Sequence, residues 1–109
     1  MAPGRWYVVQ TLKGQERKTI ADIKRNVIED DEDVFIMENE KMFKHQGKWK
    51  ADRVNLFPGY LFIVTPRAEE FDERLHGKYR TLKLMTVGGT ITAIRSEEES
   101  FLIDRKSVV

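Results

Sequence analysis

The sequence predicts an α+β domain: a mixed, mainly antiparallel sheet flanked by about three helices, with a basic hairpin arm. Short apolar runs of strand character alternate along the chain with segments whose apolar residues recur at helical spacing. Glycine-bearing turns stand where successive strands would fold back on one another. A chain of 109 residues, 40% hydrophobic and 10% aromatic, can bury one ordinary core.

Residues 1–4 read as a leader without a fold role. Trp6-Tyr7-Val8-Val9-Gln10 is a strand buried on both faces, and Lys13-Gly14 breaks it. From Gln15 the period changes. Ile20, Ile23, Val27 and Ile28 form the apolar stripe of a charged helix, which the acids of 29–33 end as a solvated terminus. Val34-Phe35-Ile36-Met37 is a second strand. Residues 41–56 form a hairpin or extended arm turning near His45-Gln46-Gly47-Lys48. Pro58-Gly59 is a turn or bulge before a central apolar strand from Tyr60 to Val64.

Thr65-Pro66 starts a second helix, with threonine as cap and proline in the first turn. Ala68, Phe71 and Leu75 are its buried stripe and Gly77 its stop. Gly88-Gly89 is the two-residue turn of a hairpin between 82–87 and 90–94. Ser96-Glu97-Glu98-Glu99 has the form of a capping box opening a third helix. The expected order is β-α-β-β-β-α-β-β-α. Residues 5–103 make the domain, and 104–109 are a tail or the start of a linker.

With no cysteine in the chain, disulfides and thiolate zinc sites are excluded, and a reducing cytoplasm suits the composition. No apolar stretch approaches the roughly 20 residues that cross a bilayer, so no membrane partner is expected. Phosphate-cradling glycine motifs are absent. His45 and His76 lie far apart, and no serine has a histidine nearby in sequence to act as base. The acids of 29–33 are consecutive, unlike the alternating ligands of a calcium loop. The expectation is a monomeric binding domain, not an enzyme, without metal or cofactor.

The net charge of +1 names no polyanion partner, but its distribution is uneven. Glu29, Asp30, Asp31, Glu32, Asp33, Glu38 and Glu40 precede Lys41, Lys44, Lys48, Lys50 and Arg53, which face only Asp52. Such a patch is either a nucleic-acid surface or an ordinary solvated face. In Leu56-Phe57-Pro58-Gly59-Tyr60-Leu61-Phe62 both strand faces are apolar and Phe57 precedes a turn. That cluster is either core or an exposed docking patch.

Arg5-Trp6-Tyr7-Val8-Val9-Gln10, then Gly14 and a charged helix, then Leu56 to Phe62 resembles the N-terminal domain of the NusG family of transcription elongation factors. Val87-Gly88-Gly89 and the helix after Ile94 extend the resemblance over 5–103. It implies a hydrophobic depression that holds the clamp helices of the RNA polymerase β′ subunit, with Trp6, Phe57 and Tyr60 as docking aromatics and Pro58 shaping the knuckle. By the same resemblance, arm 41–53, with Lys48 and Lys50, takes the place of a loop reaching the polymerase β-subunit gate. Lys13, Arg17, Lys18 and Arg25, with Lys78 and Arg80, match positions that contact nucleic acid in specialised relatives, either an RNA hairpin or the non-template DNA strand. A short basic arm suggests a specialised paralogue such as the LoaP antiterminators. The family's C-terminal KOW barrel has no counterpart in these residues. A stand-alone RNA-binding module recognising a leader hairpin is the alternative function.

Overall fold

The computed structural model describes residues 4–103 and 106–107; the remainder of the expected leader (1–4) and tail (104–109) lies outside the described residues. The elements are β1 (Arg5–Gln10), α1 (Glu16–Asn26), β2 (Asp33–His45), β3 (Lys48–Asn55), β4 (Tyr60–Thr65), α2 (Ala68–Lys78), β5 (Thr86–Val87), β6 (Thr90–Ile91), α3 (Ser96–Leu102) and β7 (Lys106–Ser107). The main sheet runs β1-β4-β2-β3, with β7 also against β2, and β5-β6 is a separate hairpin. Every described strand pairing is antiparallel. This is the α+β architecture expected, with the expected order of elements up to α3.

Strand alternation divides the core in two. Val9, Val34, Ile36, Leu61 and Ile63 face α1 and α2, where they meet Ile20, Ile23, Phe71 and Leu75. Trp6, Phe35, Met37, Phe62 and Val64 form the second layer, joined by Val8, Leu56, Ile94 and Leu102. β4 lies between β1 and β2, and both of its faces are covered. β1 has its outer edge closed by segment 84–94: the amides of Met85 and Ile94 donate to the carbonyls of Val8 and Trp6, and Leu84 bridges Val9.

Several local signals resolve differently from expectation. Thr65 does not cap α2, which starts at Ala68 after Arg67. The Thr65 hydroxyl accepts from the Arg67 amide and donates to Glu32 instead. The hydroxyl oxygen is taken by the Arg67 amide, one residue ahead of the helix, so it serves the turn before α2. Gly77 lies inside α2, not past its end, and Tyr79 follows in extended conformation. Ser96 is the first residue of α3 and makes no side-chain cap; Arg95 precedes it. Val27 and Ile28 fall just beyond α1, although both remain packed in the core.

The acids of 29–33 are not merely a solvated terminus. Glu32 is buried, with both carboxylate oxygens on Arg74 at 3.0 and 2.9 Å and one on the Thr65 hydroxyl at 2.7 Å. Arg67 bonds Asp31 and Glu29, and Arg74 also donates to the Val27 carbonyl. Burial pushes the Glu32 carboxyl upward, but the bonds from Arg74 and Thr65 outweigh it and hold it below its ordinary value. The acidic loop is therefore the clasp between α1 and α2. Sequence spacing did not show it, because both arginines lie more than thirty residues away.

Candidate functional site: an aromatic knuckle between two basic grooves

The β3–β4 connection turns at Phe57-Pro58-Gly59, and Gly59 has φ 86°, a left-handed conformation that glycine adopts without strain. Space favours glycine as well: an added Cβ would lie 3.3 Å from the Thr11 carbonyl oxygen, a tight contact. The turn is held from several sides. Asn55 accepts from the Phe57 amide at 2.9 Å, the Tyr60 amide donates to the Phe57 carbonyl at 3.1 Å, and the Thr11 amide donates to the Gly59 carbonyl at 2.8 Å.

Beneath it sits Glu16, the first residue of α1. Its buried carboxylate accepts from the Gly59 amide at 2.7 Å and from the Gly14 amide at 2.8 Å. Burial alone would raise this carboxyl's pKa. The backbone N–H bonds, that of Gly59 foremost, outweigh burial and hold it below the ordinary 4.5. One carboxylate thus ties the β1–α1 loop to the knuckle. Glu16 carried no signal in the sequence beyond an acid in a first helical turn, since its partner lies 43 residues away.

On this support Phe57 is 38% exposed, its ring edge-on to Phe62 at 5.7 Å. Phe62 stacks on Phe35 at 5.9 Å, and Phe35 meets the edge of Trp6 at 5.0 Å. An aromatic ladder therefore runs from the exposed knuckle into the second core layer. Tyr60 is half-buried and Pro58 exposed, whereas Trp6 is only 6% exposed and belongs to the core of the free domain.

Of the basic residues expected to form one track, Lys18 lines one groove and Lys13 with Arg17 another, on either side of α1. Lys18 lines a groove of about 610 Å³ with Asp22, Tyr79, Lys83 and Met85. Its far wall is segment 79–86, fixed beside α1 because Tyr79 accepts from the Asn26 amide group at 2.6 Å and donates to the Asp22 carbonyl at 3.3 Å. Arg25 is exposed on α1, Lys78 at the end of α2 and Arg80 on segment 79–86, all three outside the lining of this groove. Lys13 and Arg17 instead line a smaller hollow of about 370 Å³ with Arg53 and Pro58, next to the knuckle. There Arg17 and Arg53 grip Glu38 from opposite sides at 2.9 and 3.1 Å. Lys83, not among the basic residues singled out in the sequence, also lines the larger groove; the alternation Leu82-Lys83-Leu84, with both leucines buried, turns it outward.

The arm is a regular two-stranded ribbon, paired from Glu38↔Asn55 to His45↔Lys48 and closed by Gln46 and Gly47, both at positive φ. Beyond Glu38 its residues are exposed as far as Val54, and the molecule measures 51 × 29 × 29 Å. Lys48 and Lys50 share one face with Lys41, Phe43 and His45; Trp49, 66% exposed, shares the other with Met42 and Lys44. Among the described residues no group of His, Asp and Glu is arranged to hold a metal. No described helix is long and apolar enough to cross a membrane.

A two-layered antiparallel α+β domain with an aromatic turn at the start of its central strand is the class this geometry defines. The family model for transcription termination factor NusG matches residues 4–103, and the chain belongs to that family. The transcription termination/antitermination protein NusG of Thermus thermophilus is 34% identical over 71 residues, 60% of this chain and 39% of that relative. The chain thus spans well under half the length of that relative. A CutA1 variant from Pyrococcus horikoshii OT3 overlaps 94% of this chain and 98% of its own at 15% identity, but its TM-score of 0.33 carries no argument.

Proposed function

We propose that residues 5–103 are the polymerase-docking domain of a transcription elongation or antitermination factor. It binds the β′ clamp helices through Phe57, Pro58 and Tyr60, with Trp6 as the wall behind them. The observation that carries this reading is Phe57: a large aromatic, part-exposed, on a turn whose backbone is fixed by Glu16, Thr11 and Asn55. Packing on Phe62 covers only part of this ring, and a rigid aromatic anchor loses little entropy on binding. Family membership supports the transcriptional role and, with it, a cytoplasmic location.

Nucleic acid, either RNA hairpin or non-template strand, is contacted by Lys18 in the larger groove, with Lys83 on its wall, and by the exposed Arg25, Lys78 and Arg80. Lys13 and Arg17 lie beside the knuckle, and Lys48 and Lys50 on the arm. The test is binding of the domain to purified core polymerase over a salt series, with and without nucleic acid. Docking through aromatics predicts weak salt dependence and loss of binding in Phe57→Ala. A second reading, a stand-alone RNA-binding module, is favoured by the Lys18–Lys83 groove. It predicts RNA binding without polymerase, with log K falling steeply as log salt rises; Lys18→Ala/Arg80→Ala would then flatten that slope by ~2, about one for each lost phosphate contact.

A further inference from the structure

Among the described residues β3 is the strand of the main sheet whose outer side is left open. Its partner β2 covers one side only, whereas the free side of β1 is closed by segment 84–94. Which groups point outward follows from the turn. His45 and Lys48 flank a two-residue connection and so form a hydrogen-bonded pair, and bonded and non-bonded pairs alternate from there. The Leu56 amide on the Met37 carbonyl at 2.8 Å keeps that phase. Trp49, Ala51 and Arg53 therefore turn their N–H and C=O groups away from β2. In agreement, the Arg53 amide is met by the Asp52 carboxylate at 2.9 Å and not by β2.

Lysines on an edge ordinarily keep strands apart. Here one antiparallel register makes them complementary to a second copy of the same strand. With a two-fold axis at Ala51, the outward groups of Trp49, Ala51 and Arg53 face those of Arg53, Ala51 and Trp49 of the other copy. On one sheet face each Lys50 stands opposite the other copy's Asp52; on the other, each exposed Trp49 stands opposite the other copy's Arg53, whose Nε stays on Glu38 at 3.1 Å. Moving the axis to Lys50 or to Asp52 sets that residue against itself. The Arg53 amide gains a carbonyl partner in the pairing, which frees Asp52 for Lys50.

We propose that two copies of this chain associate through β3, edge to edge about Ala51, extending the arm into a four-stranded ribbon. This departs from the monomer expected from sequence. The pairing is an isologous contact, small in area, so dissociation on the order of 10–100 µM is expected. Sedimentation equilibrium of the intact chain across that range measures it. Lys50→Glu and Asp52→Lys should each weaken the dimer by about tenfold or more, and the double variant, which restores opposite charges across the axis, should recover it. Because the chain has no cysteine, Ala51→Cys gives a direct reading of the register. Facing residues of a bonded pair lie about 5.5 Å apart, within disulfide reach, whereas Trp49→Cys would place its two sulfurs roughly 13 Å apart along the strands. Rapid cross-linking of the first variant and not the second supports the pairing. A chain still monomeric at roughly ten times the expected dissociation constant, a double variant no better than the single ones, or equal cross-linking of both cysteine variants would overturn it.

Discussion

The knuckle and the arm both present an aromatic side chain to solvent beside basic residues, yet they hold it in opposite ways. Phe57 stands on a turn tied to α1 by Glu16, to β1 by Thr11 and to the core through Phe62. Trp49 stands on a ribbon whose described support is its own ladder and one root, where Arg17 and Arg53 close on Glu38. A fixed ring can bind without being ordered first, and an open edge offers backbone groups that a second strand can use. Under the proposed function, that difference suits the knuckle to anchoring and the arm to association or reach.

Removing the support should have the largest effect. Glu16→Ala leaves the Gly14 and Gly59 amides without their acceptor, and a loss of about 2–3 kcal/mol of stability is expected in urea denaturation. A change below about 0.5 kcal/mol would mean that the knuckle is held without the carboxylate. Phe57→Ala comes next. Polymerase affinity should fall by about 2 kcal/mol while the melting temperature moves little; a variant that unfolds would make Phe57 a core residue and erase the contrast.

Acid sharpens the comparison further. The folded-state pKa of Glu16 lies below its ordinary 4.5, as does that of Glu32. Both therefore contribute stability that is fully present above the unfolded-state value and lost as pH falls through the folded value. Amide exchange at Gly14 and Gly59, corrected for intrinsic pH dependence, should quicken on that descent while the ladder of the arm outside its root is little affected; Glu16→Gln should abolish the Gly14 and Gly59 response. Smallest of all is Trp49→Ala, expected to change stability by less than about 0.5 kcal/mol because the ring is largely solvated. A larger loss measured at a concentration where the chain is dimeric, absent on dilution, would point to the β3 edge.

The sequence by itself determined the order of elements, the two glycine turns and the family, since each rests on residues that are neighbours along the chain. Turns at Gln46-Gly47 and Gly88-Gly89 are decided by local backbone freedom, and the strands by alternation and composition. Tertiary structure decided whatever depends on which distant group arrives first. Thr65 resembles a helix cap, but its oxygen accepts from Arg67 ahead of α2 while its proton goes to Glu32; the acids of 29–33 resemble a solvated terminus but receive Arg67 and Arg74. Eight basic residues read as one surface and an arm are dispersed: Lys18 lines one groove, Lys13 with Arg17 another across α1, Lys48 and Lys50 lie on the ribbon, and Arg25, Lys78 and Arg80 line neither groove. Glu16, silent in the sequence, pins the knuckle because folding carries Gly59 onto it, and a buried amide takes whichever acceptor the fold brings within reach.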